Sequence, residues 1–540
     1  MAGLAAAFGS GAMTNTIGDL DEADVILLTG SNTTENHPVI SSYIKRAIKF
    51  KGTKLIVVDP RRINMTLFSK NWLRPNLGTD VAWINGMIHV IIKEELFDKD
   101  FVQNRTTGFE ELKKAAEKYT PEYVETITGI LSKSLIEAAR MYAGAKAGAI
   151  VYCMGITQHT TGTDNVKSLA NLSMLCGNLG IRGGGVNPLR GQNNVQGACD
   201  MGGLPDVFSG YQKVIDPVAR EKMEAAWGVS GLSDKPGLKA TEMIPKAHDK
   251  SLRALYIVGE NPLISDPDIN HAEKCIKNLD FLVVQDIFMT ETAKLADVIL
   301  PSACFAEKEG TFSNTERRVQ RVRKAVEPPG EAKEDWKITC EIANRMGYPM
   351  AYESSEAILE EISKVTPAYA GINYDRIDQE GIHWPCPSLD HPGTPILHTQ
   401  AFPIGKGVFH AIEYIPPAEQ TDNEYPFYLT TGRVIHQYHT GTMTMKSDGI
   451  NERAPENFVE ISSSDAEKFG FEDGSMAKIM SRRGDITAKI KISATAVNGT
   501  VFIPFHFAKS AANKLTNAAL DPVSKIPEYK VCAVKLSKAA

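Results

Sequence analysis

Two stretches of this chain, far apart, follow one plan: apolar strand, Gly-x-Asn, helix-like stretch, second apolar strand, acidic residue. The first runs Ala23-Asp24-Val25-Ile26-Leu27-Leu28-Thr29-Gly30-Ser31-Asn32 and resumes at Leu55-Ile56-Val57-Val58-Asp59-Pro60-Arg61. The second runs Ala254-Leu255-Tyr256-Ile257-Val258-Gly259-Glu260-Asn261-Pro262 and resumes at Phe281-Leu282-Val283-Val284-Gln285-Asp286. A buried parallel strand that ends in Gly lets a loop bring backbone N–H groups against a phosphate. An acidic residue closing the next strand can take a ribose hydroxyl or a purine edge. Two such halves in one chain imply two nucleotide-like moieties, or one cofactor bound twice.

The remaining patterning sets the architecture. With 540 residues the chain exceeds one hydrophobic core and predicts three or four domains. Residues 1–192 alternate strands (near 24–29, 54–59 and 148–153) with helical patterns (near 39–50, 80–94, 109–118 and 131–142), the signature of a parallel sheet with covered faces. This α/β unit closes on a stretch dense in Gly and Asn, 177–194, which is costly to order unless the backbone needs positive φ or close approach to something. A second α/β unit spans 193–355, short of strand signals before Leu255, with a polar excursion over 305–333. Its basic run, Arg317 to Lys324, reads as a solvated face. Residues 356–400, rich in Pro and Gly, read as a connecting segment. The last part, 401–540, turns all-β from about 420, with short strands at Phe427–Thr430, Phe458–Ile461, Met476–Met480, Ile486–Ile490 and Thr500–Pro504 separated by turn signals, and predicts a small barrel.

Several function classes are excluded or disfavoured. A net charge of −6 argues against a nucleic-acid binder. No apolar run approaches the ~20 residues of a membrane helix, so direct membrane insertion is not expected. The first Lys or Arg is Lys45, so a basic signal-peptide region is missing, which favours a cytoplasmic protein if Met1 is the true start. The eight cysteines form no C-x-x-C pair and read as free thiols rather than as metal ligands or disulfides.

The polar motifs each carry a bland alternative. Gly30-x-Asn32 with His37-Pro38 follows a strand, as many α/β turns do, and its echo at Gly259-x-Asn261 favours a ligand site. Asp59-Pro60-Arg61 stands where open sheets bind ligands, or forms a turn with a surface ion pair. Gly78-Thr79-Asp80 opens a helical pattern, so Thr79 or Asp80 reads equally as an N-cap. Met154-Gly155-Ile156-Thr157-Gln158 has the same ambiguity. Thr430 to Thr444, with Arg433, His436, His439 and Thr440, is dense in donors and suits phosphate better than a metal, since no acidic or Cys partner stands nearby. Arg190, inside the glycine-rich stretch with Gly191 and Gln192, suits bidentate recognition of a small carboxylate, or else a phosphate or a structural ion pair.

These motifs together carry a family resemblance. The chain resembles the catalytic subunits of molybdopterin oxidoreductases, closely the molybdenum- or tungsten-dependent formate dehydrogenases. The most specific match is Asn187-Pro188-Leu189-Arg190-Gly191-Gln192-Asn193-Asn194-Val195-Gln196-Gly197-Ala198-Cys199-Asp200-Met201-Gly202. The others include Gly155 to Gln158, Gly259 to Pro262, Ala296 to Pro301, Leu429 to Arg433, His439 to Thr444 and Pro527-Glu528-Tyr529-Lys530, so the likeness covers essentially the whole chain. The resemblance implies two Rossmann-like units and a six-stranded double-psi barrel of the aspartate-decarboxylase type. It implies two pterin guanine dinucleotides clasping one Mo or W, one held by Gly30, Asn32, His37, Asp59, Arg61, Gly78, Asp80, Met154, Gly155 and Gln158. The other falls to Gly259, Asn261, Gln285, Asp286 and Ser302, and the barrel closes over both through Arg433, His439, Thr440, Asn513, Tyr529 and Lys530. Arg190 then orients formate by its carboxylate, with Gln192 beside it near the pterin and Gly191 in the cofactor-binding set, and the product is CO2. Electron-transfer subunits of iron–sulfur, flavin or hydrogenase type follow as partners.

One departure stands out. Family members carry a four-cysteine iron–sulfur (4Fe–4S) segment and then a Cys or selenocysteine followed by His, just ahead of the stretch matching Ala2-Gly3-Leu4. The expectation is therefore a chain that starts downstream of a selenocysteine codon, inactive as these 540 residues alone. Upstream DNA holding a continuous frame broken by one TGA would bear this out. Another molybdopterin oxidoreductase acting on nitrate or an arsenic compound, and an inactive cofactor-binding scaffold, are the alternatives.

Overall fold

The computed structural model describes residues 1–539. The chain forms two compact units, one made of Met1–Gly191, Ile264–His271 and everything from Ile396 onward, the other of Gln192–Leu263 and Ala272–Pro395. Two sequence segments thus divide differently from expectation. Residues 264–271 cluster with the first unit, and most of the expected connector 356–400 packs with the second, where Ser355–Val365 is a helix capped by Ser354.

The first unit opens on a five-stranded parallel sheet. Its strands are β1 (Val25–Thr29), β2 (Lys54–Val58), β3 (Asn71–Leu73), β4 (Gly148–Tyr152) and β5 (Val186–Pro188), in spatial order β3-β2-β1-β4-β5. Strand β1 is flanked in register by β2 (Thr29 opposite Val58) and by β4 (Thr29 opposite Tyr152). β1, β4 and β5 are buried along their whole length, which is why they read as continuous apolar runs rather than alternating ones. Helices α1 (Pro38–Lys51), α2 (Asp80–Lys93) and α3 (Gly162–Leu175) link them. The chain leaves β1 to one side, through α1 to β2, while β4 lies on the other, so the strand order reverses between β1 and β4. Ligands of doubly wound sheets bind at the carboxyl ends of strands at such a switch point. Helix α2 is buried nearly all round, with Trp83, Ile84, Met87, Ile88 and Ile91 fully inside the core.

The second unit contains a three-stranded parallel sheet, β6 (Ala254–Val258), β7 (Phe281–Asp286) and β8 (Val298–Pro301), in that order. Its strands were expected to be buried. Instead Ile257, Leu282 and Val284 pack against Ile244, Cys275 and Ile276 on one face, while Tyr256, Val258, Val298 and Ile299 are exposed. Successive strand residues point to opposite faces; Tyr256, Val258 and Val298 share the open one, while Ile299, in register with Val284 on the covered face, is exposed at the sheet edge. The polar excursion is an antiparallel sheet of β9 (Gly310–Ser313), β10 (Arg318–Val322) and β11 (Ile382–His383).

The solvated-face reading of the basic run fails at Arg317. That side chain is fully buried, donating to the carbonyls of Trp384, Thr394 and Pro395. Arg321 lies over the Tyr374 ring at 3.5 Å. A guanidinium that donates to several carbonyl oxygens keeps its hydrogen bonds when buried, and Glu316 and Asp200 add favourable charge.

The C-terminal part of the first unit is a closed six-stranded barrel, as expected. Strands β12 (Phe427–Gly432), β13 (Phe458–Ile461), β14 (Met476–Met480), β15 (Asp485–Ile492), β16 (Thr500–Pro504) and β17 (Cys532–Lys538) close in the order β12-β16-β13-β15-β14-β17. β15 alternates exposed and buried residues, turning Ile486, Ala488 and Ile490 inward.

Candidate functional site

The carboxyl ends of β1 and β4 interlock through two glycines. Gly30, at φ +55°, accepts from the Gly155 N–H at 2.9 Å. A Cβ on Gly30 would lie 2.6 Å from Ile156 N, and one on Gly155 would lie 2.5 Å from Gly30 Cα. Only glycine permits this backbone contact.

Beyond Gly30 the loop is lined with polar atoms that the protein leaves unpaired. Buried atoms of Thr29, Ser31, Asn32, Thr33, Asn36 and His37 have no hydrogen-bond partner. A buried orphan of this kind costs about 1–3 kcal/mol, and native structures contain few. Six on one loop at a sheet's switch point mark a ligand cradle rather than a packing fault. His37 Nε2 donates to the Arg190 carbonyl at 2.8 Å, which leaves Nδ1 as the bare, unpaired nitrogen. Burial lowers the pKa of this imidazole, with the Arg190 carbonyl opposing and Arg433 adding to the effect.

Acidic side chains follow just past β2 and at the start of α2. Asp59 accepts from Arg61 N–H at 2.9 Å, and burial pushes its carboxyl up to about 6. Asp80 accepts from Trp83 Nε1 at 3.2 Å and is likewise raised to about 6 by burial. Thr79 occupies the N-cap position of α2 without a side-chain cap bond, its hydroxyl donating instead to Asn76 O at 2.7 Å. Gly78 has φ +71°, and a Cβ there would strike Pro417. A cavity of about 560 Å³ adjoins these residues, lined by Pro60, Arg74, Thr79, Tyr414, Tyr428 and Asn498 among others.

The barrel brings cations to the same unit. Lys530 is partly buried and donates to Thr431 O; desolvation lowers its pKa to about 8, with Cys153 and Asp59 opposing, and Arg433 and Arg61 adding to the effect. Lys530 N–H also meets the Gln158 carbonyl at 3.4 Å, in the turn that follows the short helix Met154–Thr157. Arg433 donates to Gly191 O at 3.3 Å. His439 is held near a pKa of about 4 by burial and by Arg433. Its carbonyl accepts from His506 Nδ1, and His506 Nε2 accepts from Val434 N at 3.0 Å, which fixes the neutral tautomer of His506. Thr440 pairs with Thr442 at 2.9 Å, while Asn513 and Tyr529 donate to the main chain of Ile264 and Ser265.

In the second unit, Gly259 N–H donates to Gln285 O at 2.8 Å, at φ +66°. The Asn261 side chain is satisfied within the protein by Thr292 and Glu291, and that of Gln285 by Tyr256 and Asp335. Asp286 accepts from Ile287 N at 2.7 Å and Phe288 N at 3.2 Å, and Ser302 N donates to Asp286 O at 3.2 Å. Gln192 opens this unit, ahead of Asn194, whose side-chain oxygen accepts from Ser313 N at 2.9 Å.

Three residues of the first unit escaped the sequence reading. Cys153, read as an incidental thiol, donates to Leu189 O at 3.1 Å and feels Arg433, Lys530 and Arg190. His159 donates to Gly155 O at 2.8 Å, stands 3.8 Å from Asp80 and is kept neutral by burial. Glu528 is buried, accepting from Thr160 and from Ala418 N. The one available signal was adjacency, since Cys153 and His159 bracket Met154–Gln158 and Glu528 precedes Tyr529.

The fold places the chain in a class of α/β proteins closed by a C-terminal barrel, which it shares with acetylene hydratase from Pelobacter acetylenicus. That structure matches with a TM-score of 0.79 at 22% identity, covering 100% of this chain and 80% of its own. The family model described as molybdopterin oxidoreductase matches residues 3–345, and that described as molydopterin dinucleotide binding domain matches 427–533. The chain belongs to the molybdopterin oxidoreductase family, and the dinucleotide-binding match implies a molybdopterin cofactor. It is 54% identical to the F420-dependent formate dehydrogenase subunit alpha of Methanocaldococcus jannaschii, over 99% of this chain and 80% of that protein. It is 41% identical to formate dehydrogenase H of Escherichia coli, over 100% of this chain and 76% of that protein. Among the described residues no helix is long and apolar enough to cross a membrane.

Proposed function

We propose that this chain is the catalytic subunit of a formate dehydrogenase that interconverts formate and CO2 at Mo or W held by two pterin guanine dinucleotides. The observation that carries the proposal is the row of buried orphan polar atoms on the β1 loop, in one unit with Arg61, Arg190, Arg433 and Lys530. A dianionic diphosphate needs donors and cations, which the hydroxyls of Thr29, Ser31 and Thr33 and the Arg and Lys side chains supply, while Asn32 Oδ1, Asn36 Oδ1 and His37 Nδ1 are acceptors suited to N–H groups of the pterin or guanine.

Asn32, His37, Asp59, Arg61, Asp80 and Gln158, on Gly30, Gly78, Met154 and Gly155 as backbone supports, would hold one dinucleotide. Gly259, Asn261, Gln285, Asp286 and Ser302 would hold the other, and Arg433, His439, Thr440, Asn513, Tyr529 and Lys530 would close from the barrel. An ionised Asp59 or Asp80 suits the N–H edge of a guanine, and the cavity beside them suits its ribose. When bound, the metal–pterin centre supplies two-electron redox chemistry. Arg190 would take the formate carboxylate in a two-point grip and aim its C–H bond away from the guanidinium, with Gly191 and Gln192 beside it. The overall change, HCOO⁻ to CO2 with one proton and two electrons, removes the charge that Arg190 holds, so the product is released from that grip. The proposed setting is cytoplasmic. Electrons would pass to a separate subunit, and the names of the methanogen relatives, F420-dependent and subunit alpha, support F420 as the final acceptor.

The test is formate-dependent F420 and viologen reduction by the holoenzyme and its R190K and R190A variants. R190A is expected to lower kcat/KM at least about a hundredfold, chiefly through KM, with R190K in between. Unaltered formate kinetics in R190A would refute the assignment.

A further inference from the structure

Strand β5 is the edge of the first sheet and its ladder stops at Pro188, paired with Tyr152. One more backbone bond follows, from Leu189 N to Tyr152 O at 2.8 Å. Past that point the main chain has no strand to pair with, yet buried carbonyls need donors. The next three carbonyls each meet a side chain from a different element. Leu189 O accepts from Cys153 Sγ at 3.1 Å, just past β4. Arg190 O accepts from His37 Nε2 at 2.8 Å, in the loop after β1. Gly191 O accepts from Arg433 Nη1 at 3.3 Å, just past β12 of the barrel.

We infer that Cys153, His37 and Arg433 form a clamp on three consecutive carbonyls that fixes the main chain of Arg190, and that Cys153 and His37 are thereby positioning residues for anion recognition. The inference deepens the reading of Arg190 as the formate-binding arginine and rests on it.

Three features support the clamp. The fit is close: a Cβ on Gly191 would lie 2.8 Å from Arg433 Nη2, so the glycine is what lets the guanidinium reach the carbonyl. The donors are in the right protonation state, because burial raises the Cys153 thiol and lowers the His37 imidazole, keeping an S–H and a neutral ring. The need is physical as well. An arginine acts through a long, flexible stem, with Nη2 of Arg190 3.5 Å from Gly11 O. Two-point recognition tolerates errors of only about 0.5 Å, so the base of the stem has to be held.

The test uses the holoenzyme and two substitution pairs. H37L removes the donor, while H37Q offers an amide N–H to the same carbonyl; C153A and C153S make the corresponding pair for the thiol. Two readouts are taken: steady-state formate kinetics, and the Kd of azide, a small linear anion that binds without turnover, by calorimetry. Pterin and metal per chain are measured alongside. H37L is expected to raise formate KM and azide Kd about five- to tenfold with kcat within about twofold, and H37Q to restore both. C153A is expected to raise both by about two- to threefold, and C153S to match the parent. Cofactor content stays level in the C153 pair, while H37L, which also removes the Nδ1 offered to the dinucleotide, loses part of its pterin, so its KM and azide Kd are read per loaded site. An unchanged azide Kd in H37L and C153A overturns the clamp, and so does a rise that merely tracks lost pterin. If the parent binds azide but does not oxidise formate, the formate reading fails and the azide series still judges the clamp. If the parent oxidises formate and the series is flat, the clamp alone fails.

Discussion

The guanidinium of Arg61 lies over Phe502, its Cζ 3.6 Å from the ring centroid, and pairs with Glu460 at 3.0 Å. This joins the loop after β2 to barrel strands β16 and β13, which lie hundreds of residues on in the chain. Glu460 is buried, which alone would raise its pKa, but Arg61, Thr495 and Lys491 hold it below the usual carboxylate value. A depressed carboxylate contributes stability that is present above its unfolded pKa and lost as pH falls through its folded one. R61A should therefore cost about 3–5 kcal/mol, because it strands a buried carboxylate. R61K, which keeps the charge and loses the stack, should cost less. Denaturant titration at pH 7 measures both. The gap between parent and R61A should narrow as pH falls below the ordinary carboxylate value of 4.5 and through the depressed folded pKa of Glu460.

Gly30 and Gly155 are the second target. G30A places a methyl against Ile156 N in a conformation that L-residues avoid, so the loop has to move. A loss of at least about 2 kcal/mol is expected, together with loss of pterin from the purified protein. G52A is the control: Gly52 also has positive φ but meets nothing within 4 Å, so its penalty should be about 1 kcal/mol with pterin retained.

How much of this was legible in the sequence follows from where each residue's partners lie. Gly30 and Asp59 could be placed at strand ends because each closes an apolar run, and they do follow β1 and β2 directly, as Gly155 follows β4 a few residues on. The barrel was readable from the short strands between turn signals that recur from Phe427 onward. Arg317 was not, because its carbonyl partners lie at Trp384, Thr394 and Pro395, and a run of Arg and Lys looks solvated from within. The open face of β6 and β8 was hidden for a similar reason: an apolar strand does not record whether both its faces are covered. Cys153 was passed over because a thiol that donates to one distant carbonyl leaves no spacing pattern.

Asp59 and Asp80 predict how the cofactor-free protein responds to acid. Both carboxyls have folded pKa values of about 6, raised by burial from an ordinary value of 3.8. Between those values the folded state holds protons that the unfolded state has released, so their contribution to stability falls as pH rises from about 4 to 6. D59N/D80N should flatten that segment of the stability profile and stabilise the apo-protein at pH 7. The same variant should bind guanine dinucleotide more weakly, since an amide no longer presents two acceptors to the N–H edge of the base.

Lys530 supplies the converse test on the basic side. Burial lowers its pKa from 10.5 to about 8, so at pH 7 the apo-protein carries an ammonium group in a place that disfavours it. With about 1.4 kcal/mol for each tenfold in the proton equilibrium, that cost is on the order of 3 kcal/mol. The unfolded chain keeps its proton up to about 10.5, so the unfolded state binds more protons between pH 8 and 10, and stability should rise with pH across that window. K530M, which fills the site without charge, should abolish the rise and stabilise the apo-protein at pH 7. With a phosphorylated cofactor in place the sign reverses, because an anion beside Lys530 favours the ammonium form. K530M should then lower the melting temperature of the loaded protein and speed the release of pterin. Calorimetric scans of apo- and loaded protein at pH 7 and 9 separate the two effects; a K530M apo-protein less stable than its parent at pH 7 would show that the lysine is held by contacts stronger than its burial.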